Sequence, residues 1–170
     1  MRKTRILILI FIIVAAYGCK VSYTFTGAKI DYNIYKTINI KDFQNQATLV
    51  YPPLVQVFNE RMKDVFVQGT KLTLADINPD MEIEGEIVRY DLTPQSVKED
   101  AFASETRLTM AVRFRFRNNK NPQESKEDET ISAYRDYSSN VILNDIQDQL
   151  IDELTKEIVD QIFNSTMANW

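Results

Sequence analysis

Two stretches in the middle of the chain alternate between apolar and polar residues. The first runs from Met81 to Ile87 and places a glutamate at three successive polar positions. The second runs from Leu108 to Arg117 and places an arginine at its last three polar positions. Because successive side chains of a strand point to opposite faces, each stretch predicts a strand with one apolar and one charged face.

The charges on these two strands predict how the strands pair. An antiparallel hairpin with Ile83 opposite Phe114 sets Glu84 opposite Arg113, and the preceding glutamate opposite the next arginine. Opposite charges in such positions contribute roughly 0.2–1 kcal/mol per pair. A slip by one residue would place glutamates opposite phenylalanines and turn the apolar side chains to the wrong face. The predicted connection is a loop from Thr93 to Ser104.

Shorter patterns on either side complete the predicted fold. Alternation predicts further strands at residues 36–40, 71–75 and 130–137, and helical spacing of apolar residues predicts amphipathic helices over 53–67 and 145–165. Strands with one apolar face need a cover, which two amphipathic helices can supply. The predicted fold is a two-layer α/β (α+β) sandwich, with a mixed sheet of four or five strands and both helices on one face.

The first 18 residues have the layout of a lipoprotein signal peptide. Three basic residues precede an apolar stretch at 6–16 that is too short to span a bilayer. Ala16, a tyrosine and a glycine then lead to Cys19, the one cysteine of the chain, in a pattern that resembles the bacterial lipobox. We therefore expect cleavage before an acylated Cys19, a lipidated tether or edge strand over 19–35, and a folded domain over 36–170. An ordinary signal peptide and a membrane anchor are the alternatives.

The charge balance and the residue types narrow the classes of function. Loss of the three basic residues of the signal would change the net charge from −4 to −7, and an acidic body disfavours nucleic acid as a partner. The chain has no histidine, and its single cysteine is assigned to lipid. These absences disfavour histidine or cysteine catalysis and most zinc or copper sites. We expect no enzymatic activity, no catalytic residue, no metal and no cofactor.

A row of arginines is the candidate binding site. Arg113, Arg115 and Arg117 share the sheet face away from the helices, and Arg107 and Arg89 would extend the row. One interpretation is a charge ladder with the neighbouring glutamates. The other is contact with an anionic lipid, because planar guanidinium groups bind phosphates through two parallel hydrogen bonds. Both interpretations stay open at the level of sequence.

Six short segments follow one another along the chain: 23–27 (YTFTG), 50–54 (VYPPL), 82–87 (EIEGEI) with Tyr90, 106–110 (TRLTM), 163–164 (FN) and 168–170 (ANW). In their order and spacing they resemble the LptE family of lipopolysaccharide-assembly lipoproteins, in the form found in the Bacteroidetes group. The resemblance implies a sheet with two helices that sits as a plug inside the LptD β-barrel. Together the two proteins would insert lipopolysaccharide into the outer leaflet. It also implies contact with lipopolysaccharide through basic residues, none of which transfers to a position here.

The residues after the cysteine bear on location and partners. Lys20 follows Cys19, and residues 21–24 contain no acidic run, which by analogy favours the periplasmic face of the outer membrane. We expect a lipid-anchored, non-catalytic plug and assembly partner of an LptD-like β-barrel. The alternatives are a scaffold lipoprotein of another envelope-assembly machine, and a lipid or glycan carrier. A carrier would need a cavity of several hundred cubic ångströms, on the order of the ~300–1,000 Å³ usual for ligand pockets.

Overall fold

The computed structural model describes residues 30–95 and 105–167. The sheet strands are β1 (Thr37–Ile40), β2 (Gln44–Asn45), β3 (Thr73–Leu74), β4 (Met81–Gln95), β5 (Glu105–Asn118) and β6 (Lys126–Ser138). The helices are α1 (Pro52–Gly69) and α2 (Leu143–Met167), with one 3-10 turn at Pro122–Glu124. The predicted signal peptide, Cys19 and residues 20–29 of the predicted tether or edge strand lie outside the described residues.

The predicted two-layer α+β fold is confirmed, with a sheet of six strands instead of four or five. The strand order is β3-β1-β4-β5-β6, and β2 pairs with β4 beyond the end of β1. β1 runs parallel to both its neighbours and β2 runs parallel to β4, whereas β4, β5 and β6 are antiparallel. The predicted loop from Thr93 begins too early, because residues 93–95 still pair with residues 105–107.

The predicted register of β4 and β5 is wrong by two residues. Ile83 lies opposite Phe116, and Glu84 lies opposite Arg115. A shift of two keeps the charged side chains on the predicted face, because side chains alternate with a period of two. It also gives three glutamate–arginine pairs where the predicted register gave two. The pairs are Glu82–Arg117, Glu84–Arg115 and Glu86–Arg113.

Gly85 is the position at which the sheet accepts an aromatic side chain from the segment between β1 and β2. The buried ring of Phe43 packs there, and a Cβ atom at residue 85 would lie 2.5 Å from the carbonyl oxygen of Arg113 and also overlap that ring. Asn59 of α1 holds Phe43 at both backbone groups. Its Oδ1 accepts from the Phe43 N–H at 2.8 Å, and its Nδ2 donates to the Phe43 carbonyl at 3.0 Å. These contacts join α1 to the sheet.

The two helices run parallel over the apolar face of the sheet. Near their starts the Tyr51 hydroxyl donates to Asp148 at 2.7 Å, and near their ends the rings of Phe66 and Phe163 meet edge to face at 5.1 Å. Two prolines open α1, where the first turn needs no N–H donor. The space between helices and sheet is filled by side chains, as the core positions of the aromatic residues predict. The phenylalanines fully buried there are Phe43, Phe58, Phe66, Phe114, Phe116 and Phe163.

We predict that Gly85→Ala destabilises the domain by about 2 kcal/mol, because the added methyl group overfills the site of Phe43 and strains the β4–β5 pairing. Urea unfolding measures the change. Ser132→Ala, at an exposed position on β6, is the matched control and should change stability by less than about 0.5 kcal/mol. Equal stabilities of the two variants would contradict the assignment of Gly85 as a packing position.

Candidate site on the open face of the sheet

The sheet face opposite the helices is uncovered and carries two groups of polar side chains. The first group, which we name the charge ladder, lies beside the first half of β4. It contains Lys41, Glu82, Glu84, Glu86, Arg113, Arg115, Arg117, Glu127 and Asp128. The second group, the upper cluster, lies beside the second half of β4. It contains Arg89, Asp91, Arg107, Tyr134 and Asp136.

The centre of the charge ladder follows directly from the observed strand register. Arg117 Nη1 lies 3.1 Å from Glu82 Oε2, and Arg115 Nη1 lies 3.4 Å from Glu84 Oε1. The pair of Arg113 and Glu86 completes this row. The three predicted arginines therefore share one face, as expected, and each of them contacts a glutamate of β4.

The charge ladder extends beyond β4 and β5 on both sides. Lys41, just after β1, places its Nζ atom 2.6 Å from Glu82 and 2.8 Å from Glu84. On the other side Arg115 Nε lies 2.7 Å from Glu127, at the start of β6. Ion pairs thus connect four neighbouring segments of the chain across the sheet. The sequence pattern did not identify Lys41 or Glu127, because their partners are distant along the chain and only the strand order brings them together.

The ladder neutralises most of its own charge, since it contains four cations and five carboxylates. The hydrogen bond from Lys41 lowers the pKa of Glu84, and the same contacts from Glu82 and Glu84 raise the pKa of Lys41. The depression above Gly85, about 340 Å³ in volume, is lined by both signs of charge and is open to solvent. This geometry fits the charge-ladder interpretation. Anion binding stays a prediction, and it would require a phosphate to displace carboxylates.

The upper cluster holds the two residues that were expected to extend the arginine row. Arg107 donates from Nε and Nη2 to the two carboxylate oxygens of Asp136, at 2.7 and 2.8 Å. Its guanidinium group also lies 3.7 Å from the centre of the Tyr134 ring, in a cation–π contact. Arg89 lies 2.7 Å from Asp91. The hydrogen bonds from Arg107 lower the pKa of Asp136.

Within residues 30–95 and 105–167, no group of three or more candidate ligands is arranged to hold a metal ion. Neither helix of these two ranges combines the length and the apolar character that a bilayer span requires.

The ladder predicts a dependence of stability on pH. Because the folded protein lowers the pKa of Glu84, the stabilisation from this carboxylate is complete above its ordinary pKa of 4.5 and is lost as the pH falls through the lowered value. We expect Glu84→Gln to lower the free energy of unfolding at neutral pH and to flatten its decline in acid. Urea unfolding over a series of pH values measures both effects. Glu60→Gln, at an exposed position on α1, is the control, and an unchanged acid decline in Glu84→Gln would contradict the prediction.

Similar folds occur in solved structures of bacterial proteins. A protein of Xanthomonas campestris has a TM-score of 0.55 at 9% identity, over 87% of this chain and 90% of that chain. The uncharacterized lipoprotein B of Nitrosomonas europaea has a TM-score of 0.51 at 16% identity, over 85% and 87% of the two chains. A hypothetical protein of Chlamydia trachomatis has a TM-score of 0.51 at 13% identity, over 79% and 99%. At these identities the comparisons show the shared fold alone.

Comparison of the sequence with protein families is more specific. No curated protein matches the chain significantly. The family model LptE, described as Lipopolysaccharide-assembly, matches residues 35–166. That range contains every strand and all but the last residue of α2. Because the match covers well over half of the sequence, this chain belongs to the LptE family of lipopolysaccharide-assembly proteins.

Proposed function

We propose that this protein is an outer-membrane lipoprotein, held at the periplasmic face through an acylated Cys19, and that its domain is the plug and assembly partner of an LptD-like β-barrel. Membership of the LptE family carries the proposal. The lipobox-like sequence before Cys19 supports the tether. The role is non-catalytic, and the domain acts through the surfaces that it presents to other molecules.

The distribution of exposed apolar side chains is consistent with a polar surrounding along the sides of the domain. We name the end at which β4 begins and α1 ends the near end, and the end at which β4 ends and both helices begin the far end. Among the described residues, the large apolar side chains exposed at the two ends are Ile34, Val67, Leu74 and Ile77 at the near end, and Val50, Leu92, Val141 and Ile142 at the far end. Tyr134, on the open sheet face in the row next to that of Leu92, also lies toward the far end.

The long sides of the domain are polar in different ways. The open sheet face carries the charge ladder, whose charges are already paired within the domain. Helix α2 contains six carboxylates and one lysine: Asp145, Asp148, Asp152, Glu153, Glu157, Asp160 and Lys156. The lumen of a large membrane β-barrel is polar and hydrated. Surfaces with internally paired charges can be buried against such a wall without leaving a charge unpaired.

This arrangement suggests how the domain would act. A rigid body with a filled core and no need for an apolar partner along its sides would occupy the lumen, limit leakage and support folding of the barrel around it. The filled space between sheet and helices gives no support to the alternative of a lipid carrier, which would need a large internal cavity.

Deletion of this protein should deplete the folded LptD-like barrel, because the barrel would lack the domain that supports its folding. The amount of lipopolysaccharide at the cell surface should fall as a result. Heat-modifiable migration of the barrel on gels and surface labelling of lipopolysaccharide measure the two effects. Normal levels of both would contradict the proposed role.

Capture of the lipidated protein from detergent-solubilised envelopes should recover one large barrel protein at equal stoichiometry. Recovery of components of another assembly machine would favour the scaffold alternative.

The anionic-lipid contact of Arg113, Arg115 and Arg117 is a separate part of the proposal. Replacing all three by glutamine should lower cross-linking of lipopolysaccharide to the protein at least about fivefold if their guanidinium groups bind its phosphates. Glutamine at the three partner glutamates is the matched control, because it breaks the same ion pairs and keeps the arginines. Equal cross-linking in the two triple variants would assign the row to the ladder alone.

A further inference from the structure

The near end of the domain, where the tether from Cys19 enters, exposes four large apolar side chains. Ile34 is 51% exposed, Val67 44%, Leu74 45% and Ile77 83%. Ile30, at which the described chain begins, is itself buried at 6% exposure, so the chain enters the core directly at this end. Exposed apolar side chains mark a contact surface when they lie together, whereas single ones are ordinary on a protein surface.

Two of these side chains are placed at the near end by the first strands. Ile34 closes a turn in which its N–H donates to the Asp31 carbonyl, one residue before the buried Tyr35. The side chain of Asn118, the last residue of β5, donates to the Tyr35 hydroxyl at 3.2 Å. Leu74 pairs with Ile38 on the edge strand β3. Both positions therefore lie beside the first residues of β4.

The other two are placed there by the ends of α1 and of β5. Val67 lies in the last turn of α1, two residues before Gly69, which packs closely against the ring of Phe163. Ile77 lies in the loop after β3. That loop is held to the end of β5 because the Asn119 side chain donates to the Pro79 carbonyl at 2.8 Å. All four side chains thus belong to one end of the domain.

The charge at this end is close to neutral. Three lysines and four carboxylates lie in the segments that form it: Lys36, Lys71, Lys120, Asp31, Asp76, Asp80 and Glu124. One of these carboxylates, Asp80, already accepts hydrogen bonds from two backbone N–H groups and lies 3.2 Å from Lys120. The surface therefore lacks the concentrated negative charge of α2, which would oppose an anionic membrane.

The far end is equally apolar, since Val50 is 73% exposed and Ile142 68% exposed. The length of the tether indicates which of the two ends would lie closer to the membrane. Ten residues lie between Cys19 and Ile30, and they reach at most roughly 40 Å when fully extended. The 15 residues of β4 span roughly 50 Å between the two ends. An acylated Cys19 on this tether would therefore favour the near end over the far end as the part of the domain closest to the membrane.

We propose that the near end is a second membrane contact, with Ile34, Val67, Leu74 and Ile77 seated at the headgroup boundary of the bilayer that holds the acyl chains. Apolar side chains bind this boundary by shallow insertion, and nearby lysines can keep their ammonium groups at the phosphate level. We assign this contact to the lipidated protein before it occupies the barrel lumen, when the contact would orient β4 and both helices away from the membrane surface. The proposal rests on the acylation of Cys19 under the proposed function and does not depend on the barrel.

The chain offers a clean labelling experiment because acylation consumes the thiol of its one cysteine. Ile77→Cys at the near end and Ile142→Cys at the far end are prepared as full, lipidated proteins and labelled with an environment-sensitive fluorophore. Each is reconstituted in phosphatidylcholine vesicles that contain a spin-labelled lipid. The two positions have similar exposure, so Ile142→Cys is the matched control.

The fluorophore at residue 77 should be quenched at least about twofold more strongly than that at residue 142, with emission shifted to the blue. Equal quenching of two proteins that both float with the vesicles would overturn the inference alone. Failure of both proteins to float would overturn the inference together with the proposed tether.

A second pair of variants tests the same contact with the label kept at one near-end position and the apolar side chains changed around it. With the fluorophore at Ile34→Cys, the added changes Leu74→Glu and Ile77→Glu should reduce quenching to the far-end level. Val50→Glu with Ile142→Glu should leave quenching unchanged. Urea unfolding midpoints establish that both proteins are folded, and unchanged quenching in the near-end variant would overturn the inference.

Discussion

The pairing of β4 with β5 is the constraint on which the rest of the structure depends. The two strands pair along almost their whole length, and every other strand except β3 joins one of them directly. Because side chains alternate along a strand, one register decides which residues enter the core and which form the open face. The single irregularity, between Ile87 and Arg89, turns Tyr90 toward the helices, where the Gln147 side chain donates to its hydroxyl at 2.8 Å.

The same pairing determines the character of the open face. A row of three arginines by itself would be a basic surface with three unpaired positive charges. The register places a glutamate beside each arginine, and Lys41 and Glu127 extend the pairing to the neighbouring segments. Exposed ion pairs of this kind add little stability one by one. Their main effect here is to make a highly charged face nearly neutral, which suits burial against a polar wall.

The two ends of the domain differ in position more than in chemistry. Both expose apolar side chains, but the described chain begins at the near end, with the buried Ile30. A domain with polar sides and apolar ends would have a preferred direction once one end is anchored. Under the proposed acylation of Cys19, the membrane would hold the near end, and the sides would remain available to a partner.

Local patterns could predict the elements and their faces but not their exact pairing. The alternation around Glu84 and Arg115 identified both long strands and their charged sides, since that information lies within a few residues. The register differed by two because charge complementarity admits several alignments of the same alternating rows. Packing of Phe43 at Gly85, 42 residues away along the chain, favours the observed one. The C-terminal end of β4 was also missed, because pairing with β5 extends the strand through a polar segment.

The sequence by itself determined the fold class, the two amphipathic helices, the charged face of the sheet and a lipobox-like start, because each is encoded by residues close together in the chain. Only the tertiary structure decided the register, the membership of the charge ladder and the separation of exposed apolar residues into two ends. Those features depend on which distant segments become neighbours, and that depends on how the core packs around Gly85 and on the order of the strands.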